Sequence, residues 1–143
     1  METERKPFDI AALAALDEAD LEIIDGDGKK TGWIWTFSGP GHPATIAADN
    51  EQSARFIARE TAKERAQVNG RKWKGDEESV EEIRARAINY IVARLLRWSG
   101  VDDPCTPDNA RKLLADRRMG LLYDQANGFL LEEKSFTRRS ASN

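Results

Sequence analysis

The sequence predicts a mainly α-helical domain in which an N-terminal β-hairpin packs on a bundle of about four helices. Two short apolar runs flank the turn-forming stretch Asp25-Gly26-Asp27-Gly28, the pattern of a hairpin whose loop is longer than two residues. An apolar stripe at helical spacing runs from Val80 to Trp98, wide enough to make that segment the core helix. Thr106-Pro107 then opens a further helical stretch, with threonine as N-cap and proline at the first helical position.

Taken in order, residues 1–7 are charged, end at Pro7, and read as a lead-in. A single helical domain is expected over 8–133, with the hairpin at about 20–38 and a polar tail over 134–143. Phe8 to Leu16 has helical spacing behind Asp9 as N-cap. In the second strand Trp33, Trp35 and Phe37 alternate with Ile34 and Thr36, so the three aromatics share one face. Pro40 and Pro43 stop that strand. From Ala44 to Val68 the pattern is helical, with Ala54, Ile57, Ala58, Thr61 and Ala62 on one face. Such small residues suggest that another helix approaches closely. Asn69-Gly70 is a helix stop. Ser79 and Glu82 match a capping box for the core helix. Around Asp116 to Gly120 the helical register weakens and then resumes, which predicts two short helices or one with a kink.

Charged residues make up 33% of the 143, hydrophobic residues 40%, and the net charge is -3. This balance points to one soluble intracellular domain and argues against a dedicated nucleic-acid binder. No apolar run approaches the roughly 18 residues that cross a bilayer, and Met1 to Lys6 lack the layout of a signal peptide. With Cys105 as the only cysteine, neither an internal disulfide nor a zinc knuckle is available.

Candidate chemistry is sparse. Asp25-Gly26-Asp27-Gly28 begins like a calcium loop, but Lys29 and Thr36 stand where oxygen ligands are required. Gly28-Lys29-Lys30-Thr31 fails as a phosphate loop because Ile23 occupies the leading glycine position and Lys29 is not followed by Ser or Thr. His42, the only histidine, sits in a proline-flanked turn, and Cys105 lies far along the chain, with no third group to orient the pair. Glu77, Glu78, Glu81 and Glu82 compensate a helix dipole more simply than they do acid–base work. The expectation is therefore no catalytic residues, no metal and no cofactor.

Two surfaces remain as binding candidates. The first comprises Trp33, Trp35, Phe37, Phe8, Leu13 and Trp73, apolar and aromatic residues beyond what one small core obviously uses. The alternative for the three hairpin aromatics is that they roof the helices. The second is a basic patch of Arg55, Arg59, Lys63, Arg71, Lys72 and Lys74, with Trp73 available for stacking. Glu51, Glu60 and Glu64 interrupt it, and nucleic-acid affinity needs an unbroken basic face. The patch fits a solvated helix face better, or a small regulator or inhibitor that touches protein or nucleic acid.

The succession of elements resembles the tail assembly chaperones of long-tailed bacteriophages. The likeness rests on the hairpin from Ala19 to Pro40, on Arg97-Trp98-Ser99-Gly100-Val101-Asp102 leading to Thr106-Pro107-Asp108-Asn109-Ala110, and on Leu122-Tyr123-Asp124-Gln125-Ala126-Asn127-Gly128-Phe129 through Phe136. It covers most of the chain from about Ala19 to Phe136. The resemblance implies a non-enzymatic protein of the host cytoplasm, absent from the mature virion. Such proteins bind the tape measure protein, keep it soluble and recruit tail tube subunits. It also implies that a longer frameshifted product can accompany this one. Self-association is left open.

Overall fold

The computed structural model describes residues 6–70 and 79–137. Two antiparallel strands, β1 (Glu18–Ile24) and β2 (Lys30–Ser38), form the expected hairpin. Asp25 shapes the connection, because its Oδ1 accepts from the backbone N–H groups of Asp27 at 2.9 Å and Lys29 at 3.0 Å. Gly28 supplies the positive φ of +81° that the turn requires. Leu21 pairs with Trp35 and Glu22 with Ile34 before a bulge shifts the register at Ile24.

The helix expected to run from Val80 to Trp98 stops early. α2 (Val80–Arg94) passes directly into β3 (Leu95–Ser99), which pairs antiparallel with the free edge of β2. Sequence periodicity misses this change, since Leu95 and Leu96 continue the apolar stripe of the helix. An isolated two-stranded hairpin is marginally stable, and a third strand with a large aromatic relieves that. Trp98 lies opposite Trp35 in the register, with ring centroids 5.3 Å apart, while its Nε1–H donates to the Asp103 carbonyl at 2.7 Å. Gly100 closes the strand at φ +92°, where a Cβ would overlap the Gly32 carbonyl oxygen.

α1 (Pro43–Val68) starts at a cap made by His42, whose Nδ1 accepts from the Ala44 N–H at 3.0 Å. It ends at Asn69 and a left-handed Gly70, as the sequence suggests. The hydroxyls of Ser79 and Thr106 accept from Glu82 and Asn109 N–H groups, both at 3.1 Å, and so cap α2 and α3 (Pro107–Ala115). The expected break near Asp116 is a 3-10 turn over Arg117–Met119, after which α4 (Gly120–Leu131) resumes. The described chain is thus predominantly helical, with four α-helices and one three-stranded antiparallel sheet.

The core joins Trp35 and Phe37 of β2 to Ile88, Ile91 and Val92 of α2, Leu114 of α3, and Leu122 and Ala126 of α4. A run of rings continues through it, from Trp35 to Phe37 (6.0 Å), Phe129 (5.7 Å) and Phe136 (5.4 Å). Each large side chain removed from water in this way contributes roughly 1.5–3 kcal/mol. Phe136 therefore does not belong to a solvated tail. A 3-10 turn over Glu133–Phe136 brings it into the core, and its carbonyl accepts from the Leu16 N–H at 2.7 Å.

Two further expectations are corrected. Phe8 to Leu16 holds only one 3-10 turn, Ile10–Leu13, with no buried residue. The segment is too short to persist as a helix without a surface to pack on. On α1, the face carrying Ala54, Ile57, Ala58, Thr61 and Ala62 is exposed, and no described helix approaches it. Only Thr45 and Ala48, near the root of α1, are fully buried.

Candidate functional site

The root of α1 is fixed by polar groups. Ser38, at the end of β2, and Thr45, in the first turn of α1, are both buried and share a hydroxyl hydrogen bond of 2.6 Å. Arg94, the last residue of α2, donates from Nη2 (2.6 Å) and Nε (3.2 Å) to the Ser38 carbonyl, and its guanidinium lies 5.1 Å from the Phe136 ring centroid. One turn back, the Tyr90 hydroxyl donates to Asp49 of α1 at 2.7 Å. Burial, followed by that hydrogen bond, raises the Tyr90 pKa above its ordinary value of 10.0. The network aligns α1 antiparallel to α2, with Asp49 level with Tyr90 and Thr45 near Arg94.

Beyond this anchor the two helices enclose an open groove with the end of α4. It holds about 940 Å³ and is lined by Phe56, Ile83, Leu130 and Leu131, together with Arg55, Arg59, Arg86 and Glu82. Phe56 is 65% exposed and Leu131 76% exposed, so the floor is apolar and unfilled among the described residues. Arg55 pairs with Glu51 one turn earlier at 2.8 Å. Arg59, Arg86 and Glu82 are the other charged residues of the lining. An apolar lining of this kind can receive an amphipathic helix through its large side chains.

The aromatic hairpin face is not this surface. Trp33, Trp35 and Phe37 do share a face, but it is the inner one, and Trp35 and Phe37 are 0% exposed. Trp33 is half-buried, edge-on to Trp35 and Trp98 at 5.4 and 5.5 Å. As contact residues Trp35 and Phe37 are therefore corrected: they hold the sheet onto the helices and meet no partner from where they stand. Phe8 and Leu13 do stand free on the surface. Trp73, Arg71, Lys72 and Lys74 lie outside the described residues. Of the basic patch, Arg55 and Arg59 line the groove, whereas Lys63 follows one turn further along α1.

His42 serves α1 as its cap, and burial raises the pKa of the half-buried Cys105 thiol. Among the described residues no three His, Cys, Asp or Glu side chains gather as a metal site, and no helix is long and apolar enough to cross a membrane. No family model, curated protein or solved structure matches the chain.

Sequence reasoning overlooked Phe56, Ile83, Leu130 and Leu131 as a group. The available signal was Phe56 beside Ile57: neighbours on a helix diverge by about 100°, so one face of α1 cannot hold both.

Proposed function

We propose that the chain is a tail assembly chaperone of a long-tailed bacteriophage. It acts without catalysis in the host cytoplasm, holding the tape measure protein soluble and bringing tail tube subunits to it before leaving the assembling particle. The observation that supports this reading is the groove between α1, α2 and α4. Phe56, Ile83, Leu130 and Leu131 give it an apolar lining, the kind of surface that takes the apolar stripe of a helical client. Large apolar side chains left exposed on an otherwise highly charged surface mark interaction sites. Binding is assigned to this groove, and not to the hairpin aromatics, because truncating an exposed contact alters binding while the fold is retained.

The test is recovery of tagged protein from phage-producing cells, read by mass spectrometry. The wild-type chain is expected to carry the tape measure protein together with tube subunits. Phe56→Ser/Ile83→Ser should lower that recovery at least about tenfold, the effect of losing one interface hot spot, with circular dichroism and melting temperature unchanged. Recovery of nucleic acid instead, lost with rising salt, would replace the chaperone reading with the regulator acting through Arg55, Arg59 and Lys63.

A further inference from the structure

The chain contains two Asn-Gly pairs, Asn69-Gly70 and Asn127-Gly128, and the fold holds them very differently. An asparagine followed by glycine is open to attack by the glycine's own backbone nitrogen, because no Cβ shields that nitrogen. Asn127 and Gly128 lie inside α4, where helical hydrogen bonding occupies the Gly128 N–H. They sit between the fully buried Ala126 and Phe129, whose ring lies 5.7 Å from that of Phe37. Freeing that nitrogen means opening the core.

Asn69 is the exposed C-cap of α1, at φ -82° and ψ 7°. Its own N–H donates to the Arg65 carbonyl and the Gly70 N–H to the Gln67 carbonyl, both at 3.1 Å. Gly70 has already left the helix, at φ +67°. For attack on Asn69 Cγ, ψ must rotate and the Gly70 N–H must give up Gln67. Doing so uncovers no buried side chain, because those of α1 are Thr45 and Ala48 at its other end. Val68, next to the cap, is already 86% exposed. Such terminal turns open most readily.

We infer that Asn69 is a spontaneous modification site of this chain, losing its amide as ammonia while Asn127 keeps its own. The Gly70 backbone nitrogen forms a bond to Asn69 Cγ, and its proton leaves with the side-chain nitrogen as ammonia. A five-membered succinimide remains. Water then adds to either ring carbonyl, one C–N bond opens, and aspartate or isoaspartate results. Both products set a carboxylate against the negative end of the α1 dipole, which loosens the last turn of that helix. The inference is independent of the chaperone reading, since Asn69 lies outside the groove.

The experiment is incubation of the full chain at pH 8 and 37 °C, with peptide mass spectrometry to locate aspartate and isoaspartate. Conversion at Asn69 should outrun that at Asn127 by at least about tenfold, because only the core site waits for large-scale opening. In urea above the unfolding midpoint both pairs are free, and the ratio should fall to near parity. Equal rates in the native chain would overturn the inference. A ratio that survives in urea would overturn it too, because neighbours in sequence would then set the preference. Asn69→Asp supplies the product without ageing. It should quicken amide exchange over 65–68 about twofold to fivefold and leave 45–50 unchanged. Unchanged exchange over 65–68 would overturn the loosening of α1.

Discussion

Arg94 holds a buried cation against a backbone carbonyl, with no carboxylate among the described residues in direct contact; Asp49 is reached through the Tyr90 hydroxyl, which lies 3.4 Å from Arg94 Nη1. A buried cation needs compensation of this kind, from hydrogen bonds and from the faces of Tyr90 and Phe136 at 5.5 and 5.1 Å. Arg94→Met keeps much of the volume and removes the charge, but takes two of the three side-chain donors from the Ser38 carbonyl and leaves it the Thr45 hydroxyl at 3.3 Å. The expected loss is about 1.5–3 kcal/mol in urea unfolding, the range for hydrogen bonds from a charged donor. Arg94→Lys should recover only part of it, because one ammonium cannot reproduce two donors and a planar stack. If Arg94→Met proves as stable as wild type, the network is not what fastens α1 to the sheet.

At the scale of elements, most boundaries were legible because they rest on local chemistry. Ser79, Thr106 and Asn69-Gly70 mark helix ends through their own hydrogen bonds or backbone freedom. The end of α2 was not legible. Leu95 and Leu96 satisfy a helical stripe and a strand equally well, and the choice is made by the edge of β2, some sixty residues earlier in the chain. The same holds for the candidate site. That Trp33, Trp35 and Phe37 share a face follows from pleating alone, but which side is covered depends on where α2 and α4 come to lie. The groove likewise needs three elements in register, which no single window of sequence contains. The turn between α3 and α4 is a local case that can be tested. Hydrogen bonds from the Arg118 side chain and backbone lower the Asp116 pKa from 3.8 to about 2. A carboxylate whose pKa is depressed in the folded state binds fewer protons there than in the unfolded chain. Its contribution is therefore present above about pH 4 and is lost as the pH falls toward 2. Asp116→Asn should lower the urea midpoint at pH 5, and that deficit should shrink steadily down to pH 2. A deficit independent of pH would show that the carboxylate acts only as a cap.

Across the whole molecule, order is unevenly distributed along α1. Its first turns are locked to β2 and α2 by Thr45, Ala48 and Asp49, while beyond Gln52 most of its residues are exposed. A helix that buries little depends on its intrinsic propensity, and on that basis its far end opens more readily than the core. Amide exchange should therefore rise along α1, slow near 45–50 and fast over 60–68, with α2 and α3 slowest where Ile91 and Leu114 are buried. This gradient bears on function, because a client helix in the groove would supply the missing packing surface. Adding the tape measure protein should slow exchange over 52–60 of α1, near Ile83 of α2 and at the end of α4, and leave α3 unchanged. Protection confined to β1 and β2 would move the client to the outer face of the sheet, around the half-buried Ile34, and take the groove out of the reading.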